Sequence, residues 1–297
     1  MPRAAIDVGS NSLLLTVLGD DDAILVDKVR VVGLGRGLGD RGLFQPDRMK
    51  AAEAVLAEYL DIARRHGIEP WQVRAAGTSG CRRAMNAETW VARVQRTLGL
   101  RIRIVSGEEE ARLSWLGAQR DLDLPDGPCL VVDLGGGSTE LVIGDHAIVT
   151  RNVSLEIGSV RLTEEFLGTG VVDPAALTRL RAFIEATVAR FEMVPRPRTV
   201  IGVAGTVTTL GAMSQGFERY ASDRIHGSHL TRTDLRRLVD ALLPATPEER
   251  RALAAVAPER ADYLLAGACL IDQVLQDAGR PGLVVSDRGL RFGLLAL

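Results

Sequence analysis

Two stretches of this chain repeat one another half a sequence apart. Ala5-Ile-Asp-Val-Gly-Ser-Asn-Ser-Leu-Leu-Leu15 aligns with Val131-Val-Asp-Leu-Gly-Gly-Gly-Ser-Thr-Glu-Leu141, and the Asp, the first Gly, the Ser and the last Leu coincide. Each copy reads as strand, tight glycine or serine turn, strand. A solenoid would repeat many times at short period. A single echo across half the chain instead predicts two related α/β domains facing each other over a cleft. The 297 residues suit this, at roughly 150 per domain. The segment Asp121-Leu-Asp-Leu-Pro-Asp-Gly-Pro128 lacks periodicity and carries two prolines, so the boundary is expected there, with domains over 1–124 and 125–297.

The remaining pattern fits layers of helix on sheet. Apolar runs at 4–8, 13–18 and 23–32 predict strands, and a glycine loop over Gly33, Gly35, Gly37 and Gly39 follows. A helix is expected from Pro46 to His66, with Met49, Ala52, Val55, Leu56, Tyr59 and Leu60 on its apolar face. A strand at 72–76, a helix at 87–98, a strand at 101–105 and a helix after Ser106 complete the first half. In the second half, helices are expected at 174–191, 206–215, 232–243, 247–255 and 260–278. A strand at 283–286 and a short terminal helix close the chain.

Composition removes several classes of function. Hydrophobic residues make up 46% and charged residues 25%, an ordinary soluble globular balance. Lys+Arg 36 against Asp+Glu 38 leaves a net charge of −2, with no whole-protein basic field for nucleic acid or membrane. The three cysteines, Cys81, Cys129 and Cys269, form no C-x-x-C pair, which argues for a reducing cytoplasm and against a zinc site. The N-terminus lacks a signal-peptide pattern, and no 18-residue stretch is free of charge, so no transmembrane helix is expected.

Chemistry concentrates in a few motifs. In Asp133-Leu-Gly-Gly-Gly-Ser-Thr-Glu140, consecutive glycines let the backbone approach a ligand and aim several N–H groups at it. Ser138 and Thr139 add hydroxyl donors. Asp133 and Glu140 would repel a phosphate directly, but make sense if a divalent cation lies between. The bland alternative is a glycine-rich hairpin turn. A P-loop is excluded because no lysine follows any glycine-rich turn, and a Rossmann fingerprint because Thr139–Ile143 reads as a strand. In Ser106-Gly-Glu-Glu-Glu-Ala-Arg-Leu113, Ser106 and Glu109 fit a capping box, leaving Glu108 and Glu110 as dipole-stabilising charges or as a general base. Gly77-Thr-Ser-Gly-Cys-Arg82-Arg83 precedes a helix and suits phosphate oxygens, or is a solvated arginine pair. Gly202-Val-Ala-Gly205-Thr206 could cradle a phosphate or nucleotide, or be a close strand-to-helix turn. His226-Gly-Ser-His229 lacks a third metal ligand and is expected to be structural.

In this order the motifs resemble the exopolyphosphatase and guanosine pentaphosphate phosphohydrolase family, part of the actin, Hsp70 and sugar kinase superfamily. The resemblance runs from Ala5–Ser12 through Gly77-Thr78, Arg82, Asn86, Ser106–Leu113, Asp133–Gly144, Ile157–Thr163 and Gly202–Thr206 to Ser286–Arg291. It implies two ribonuclease-H-like halves. It implies Glu110 as the base that activates water, with Asp133 and Glu140 holding magnesium or supporting the base, and Asp7 joining them as a metal ligand. Asn11, Ser12, Arg82, Gly135, Gly136, Gly137, Ser138 and Gly205 would hold phosphates. The expected substrate is inorganic polyphosphate or guanosine pentaphosphate, and a homodimer is one assembly to test. Phe292 departs from the family, which often has an acid after Leu-Arg. Longer members add a C-terminal helical region, so a chain of 297 residues is expected to prefer short polyphosphate or nucleotides. Two rivals are a kinase reading ATP at Gly202–Thr206 and a non-catalytic sensor of guanosine penta- or tetraphosphate.

Overall fold

The computed structural model describes residues 1–38, 42–145, 148–254 and 257–297. Gly39 and position 255, which fall in an expected loop and helix, lie outside the described residues. The strands are β1 (Arg3–Val8), β2 (Ser12–Leu18), β3 (Ile24–Val31), β4 (Arg74–Gly77), β5 (Ile102–Ile104), β6 (Cys129–Leu134), β7 (Thr139–Asp145), β8 (Ile148–Leu155), β9 (Thr199–Val203), β10 (His229–Thr231) and β11 (Gly282–Val285). The helices are α1 (Pro46–Arg65), α2 (Ser79–Arg83), α3 (Ala87–Leu98), α4 (Gly107–Ala118), α5 (Ser159–Leu162), α6 (Pro174–Val188), α7 (Ala204–Ser214), α8 (Ser222–Ile225), α9 (Arg232–Leu242), α10 (Pro247–Leu253), α11 (Leu264–Ala278) and α12 (Leu290–Ala296).

The chain divides into two compact units, Met1–Gly117 with Leu290–Leu297, and Ala118–Gly289. The terminal helix, read from sequence as part of the second half, thus belongs to the first. Each unit is built on one sheet, of order β3-β2-β1-β4-β5 in the first and β8-β7-β6-β9-β11-β10 in the second. In both, an antiparallel meander of three strands is followed by parallel pairing, β1 with β4 and β4 with β5, then β6 with β9 and β9 with β11. That is ribonuclease-H-like topology twice over. Among the described residues no helix is long and apolar enough to cross a membrane.

Alternation along the strands builds three layers in the first unit. Ala4, Ile6 and Val8 of β1 pack into a core with α1 and α3 residues such as Leu56, Tyr59 and Trp90. Ala5, on the opposite face, joins Ala76, Val105 and Leu113 with Leu290, Phe292, Leu294 and Leu295. Phe292 is 1% exposed in this apolar layer, where an unpaired acid would be costly to bury. α12 is fixed further by Arg3 and Arg74, which donate to the Leu295 and Leu294 carbonyls at 2.7 Å each, and by the Arg291–Asp27 ion pair at 2.9 Å. A Cβ on Gly293 would lie 2.0 Å from the Leu113 carbonyl oxygen, so α12 crosses α4 at glycine distance. In the second unit α11 is buried along most of its length, and its leucines share a core with Leu130, Val132, Leu141 and Ile143 of the sheet. The first half of α11, Leu264–Ile271, is apolar on all sides, as a central position needs, while Asp272, Gln273, Gln276 and Asp277 give its second half a polar face.

Several helix starts follow the sequence rules. Pro46 and Pro174 stand in first turns, the Asp173 carboxylate accepts from the Ala175 N–H at 3.0 Å, and Thr246 and Glu249 close a reciprocal capping box.

Candidate active site

In an open α/β sheet, ligands meet the carboxyl ends of the parallel strands. The predicted residues of the first unit gather at that edge. β1 carries Asp7 as its penultimate residue, ends at Val8 and runs into the Gly9–Ser12 turn. β4 leads through Thr78 into α2, which carries Arg82, and β5 leads through Val105 and Ser106 into α4, which carries Glu110. Asp7, on the same face of β1 as Ala5, points into the layer that holds α4 and α12. The buried Cys81 thiol is pushed up to about 12, first by burial and then by the charge of Asp7, with Arg82 pulling it down and Glu110 pushing it up. All three charges thus act on this one thiol, which stays protonated at neutral pH.

The three glutamates of α4 separate by environment. The Ser106 hydroxyl accepts from the Glu109 N–H at 3.1 Å, one of the two bonds of the expected capping box, and the Glu109 carboxylate takes Arg103. Glu108 is exposed, whereas Glu110 is only 7% exposed. Its carboxylate accepts from Arg82, whose Nη1 also donates to the Val105 carbonyl at 3.2 Å. Sequence reasoning assigned Arg82 and Glu110 to separate tasks and missed this ion pair. Asn86, part of the same motif, clamps the loop before α1, accepting from the Phe44 N–H at 2.9 Å and donating to its carbonyl at 3.0 Å.

The two predicted turns share a backbone device. Gly9 N–H donates to the Ser12 carbonyl at 3.0 Å, and Gly135 N–H to the Ser138 carbonyl at 3.0 Å. The carbonyls that follow are drawn to one side. Ser10 C=O accepts from Gly35 at 2.6 Å, and Asn11 C=O from Val32 and Gly33 at 2.9 and 2.8 Å. Gly135 C=O accepts from Ser159 at 3.0 Å, and Gly136 C=O from Val160 and Arg161 at 3.0 and 3.1 Å. A planar trans peptide sets each carbonyl antiparallel to the next N–H. The N–H groups of Asn11 and Ser12, and those of Gly136 and Gly137, thus point away from these supports, where an anion could meet them. In the first unit, Asn11 Oδ1 and Ser79 Oγ are buried with no hydrogen-bond partner among the described residues. A flip of the amide would present Nδ2 instead, so both positions can offer donors to ligand oxygens.

Side chains distinguish the turns. Asp133 faces Glu140 directly across the β6–β7 ladder, whereas Asp7 faces Leu14. Glu140 is 1% exposed and accepts from the Ser154 hydroxyl at 2.6 Å. Two cross-strand carboxylates fit magnesium, which takes one or two carboxylates and completes its shell with water and substrate phosphate. No cluster of three or more His, Cys, Asp or Glu suited to a metal occurs among the described residues. One support escaped sequence reasoning. A Cβ on Gly158 would lie 2.4 Å from the Gly136 carbonyl carbon, so only glycine lets α5 dock beneath the turn. Its motif, Ile157–Thr163, was visible, but nothing local revealed the contact.

Gly205 also lies at the carboxyl edge, just after β9. Ala204 holds a left-handed φ of 73°, costly for a residue with a Cβ. The open side of Gly205 is filled by Arg260, which donates to its carbonyl at 2.9 Å and to Thr209 Oγ1 at 3.3 Å. After β11, Asp287 receives the Ser222 hydroxyl and lies 3.2 Å from His226 Nδ1 and 3.7 Å from Arg288 Nε. Burial alone would raise the Asp287 carboxyl, but the hydrogen bonds of His226 and Ser222 and the charges of His226 and Arg288 hold it below the usual range. His226 thus has the structural setting expected of it.

Residues 20–296 match the Ppx/GppA phosphatase family. The chain belongs to this family. It is 34% identical to exopolyphosphatase 2 of Mycobacterium tuberculosis, across 98% of this chain and 96% of that protein. It is 30% identical to the guanosine-5'-triphosphate,3'-diphosphate pyrophosphatase of Aeromonas hydrophila, across 98% of this chain and 58% of that protein. Among solved structures, the Ppx/GppA family member of Aquifex aeolicus superposes with a TM-score of 0.83 at 34% identity, covering 99% of this chain and 96% of that one. An exopolyphosphatase from Cytophaga hutchinsonii superposes with a TM-score of 0.91 at 28% identity, covering 100% and 97%.

Proposed function

We propose that this protein is a magnesium-dependent exopolyphosphatase that hydrolyses the terminal phosphoanhydride bond of inorganic polyphosphate, short chains above all. The matched turns carry this reading. Each unit offers a pair of adjacent N–H groups at its sheet edge, and the oxygens of a phosphate chain are ligands suited to such groups. The near-complete mutual coverage with the mycobacterial exopolyphosphatase supports the same substrate class. The guanosine-directed relative extends well beyond this chain.

Phosphoryl transfer is catalysed mainly by positioning and charge neutralisation. In this reading the N–H groups of Asn11, Ser12, Gly136 and Gly137, with the Ser12 and Ser138 hydroxyls, hold phosphate oxygens. Arg82 steadies the chain, and Gly205, beside Arg260 at the carboxyl edge of the second unit's sheet, is a further phosphate contact. Glu110 orients the attacking water and takes its proton. Asp133 and Glu140, paired across the β6–β7 ladder, are the carboxylates that would hold magnesium; Asp7, expected to join them, forms no three-acid cluster with them among the described residues. The metal, when bound, neutralises charge on the phosphoryl oxygens. Three buried free cysteines support a reducing, cytoplasmic setting.

The test is a phosphate-release assay with magnesium on tripolyphosphate, long-chain polyphosphate, guanosine pentaphosphate and ATP. Release is expected to be fastest from tripolyphosphate. Preferential release from guanosine pentaphosphate would reassign the substrate, and tight binding without release would make the protein a sensor. Transfer only to an added acceptor would make it a kinase.

A further inference from the structure

Arg82 and Glu110 have tasks that conflict while they are bonded to each other. Both are largely withdrawn from solvent, with side chains 19% and 9% exposed. A buried carboxylate bonded to a guanidinium is a poor proton acceptor, because neutralising it strands the arginine's charge. A guanidinium bonded to a carboxylate is likewise a weakened ligand for phosphate, since its charge is already answered. Substrate can resolve the conflict. A terminal phosphate brings more negative charge than a carboxylate, and oxygens that suit the same planar fork.

We propose, resting on the reading of Glu110 as base and Arg82 as phosphate ligand, that the Arg82–Glu110 ion pair is a substrate-gated latch. Arg82, anchored through the Val105 carbonyl, holds Glu110 until a phosphate oxygen of the chain end draws the guanidinium over. Glu110 is then released to accept the proton of water. The base stays idle when no chain end is bound. Coupling between two equilibria is reciprocal, so the hold of Glu110 on Arg82 also subtracts from phosphate affinity.

That reciprocity gives a test in binding alone. Imidotriphosphate, a tripolyphosphate with nitrogen in place of the bridging oxygens, is titrated with magnesium into the wild type, Glu110→Gln, Arg82→Met and the double variant. Glu110→Gln is expected to bind it about tenfold more tightly than the wild type, and the same change in the Arg82→Met background to alter affinity by less than about twofold. Equal tightening in both backgrounds would mean that Glu110 opposes phosphate by its charge alone, and no tightening would mean that the two do not compete. Either result overturns the latch. Arg82→Gln, which keeps an amide donor for Val105, replaces Arg82→Met should that variant fail to fold. Phosphate release from tripolyphosphate is followed on the same proteins. Surviving turnover in Glu110→Gln refutes the base assignment, whereas a dead Glu110→Gln with a flat binding cycle refutes the latch alone.

Discussion

The Gly9–Ser12 and Gly135–Ser138 turns are closed by the same hydrogen bond, yet they are supported and equipped differently. The first leans on the loop at Val32–Gly35, and the second on the first amides of α5. A side chain on Gly35 would meet the Ser10 Cβ at 3.1 Å, but one on Gly158 would drive into the Gly136 backbone. Opposite the shared Asp stands leucine in one hairpin and glutamate in the other. The backbone device for anions is therefore common to both units, while the paired carboxylates belong only to the second. Binding and metal chemistry are separable along this line, and substitutions can divide them.

The largest effect should come from Gly158→Ala. Displacing the second turn by about 1 Å is expected to lower kcat/KM for tripolyphosphate about 100-fold, since misplacements of that size carry costs of that order. Gly35→Ala, whose Cβ would come no closer than 3.1 Å to Ser10, should cost a few-fold. Equal losses would erase the distinction between the supports.

Glu140→Gln should act on the metal. It keeps the shape of the second hairpin but removes one of its two carboxylates, and the magnesium concentration for half-maximal activity is expected to rise about tenfold. Leu14→Gln, at the matching place in the first hairpin, should leave that concentration unmoved. A shift in the second variant, or none in the first, would contradict the division of labour.

The smallest effect on turnover is expected from Asp287→Asn. Asp287 follows the fifth strand of its meander-plus-parallel series, as Glu110 does in the first unit, and each is a buried carboxylate beside a cation. We assign the first to structure and the second to chemistry. Asp287→Asn should change turnover less than twofold while costing about 2 kcal/mol of stability, as expected for hydrogen bonds to a charged group. The native carboxyl is held below its ordinary value, so its contribution is complete above about pH 4 and disappears as pH falls through the folded value. Urea titrations of the two proteins should therefore diverge at neutral pH and converge in acid.

Much of this was legible in residue order. The central strands are continuous apolar runs because both faces are covered, and α1, α3 and α4 carry helical periodicity or start signals. The edge strand β8 carries little apolar alternation, and β10, α2 and α5 are too short for a period to register. In the site, the echo disclosed both turns, because a turn is a local property of the chain. The ion pair of Arg82 with Glu110, the seat of Gly158 under Gly136 and the filling of the Gly205 position by Arg260 are not local. Each joins residues brought together by the whole unit, and no spacing in the sequence announces them. Phe292 shows the same limit, since its burial with Leu113 of α4 is a contact that only the folded unit makes.

The most direct measurement is the rate of the cleavage step in a single turnover, with enzyme in excess over tripolyphosphate and magnesium present, in the wild type and in Glu110→Gln. Glu110→Gln should still bind the chain while cleavage slows by roughly 1,000-fold, within the range lost with a general base. Cleavage at close to the wild-type rate would contradict the assignment of Glu110 and, with it, the division of roles between the two units.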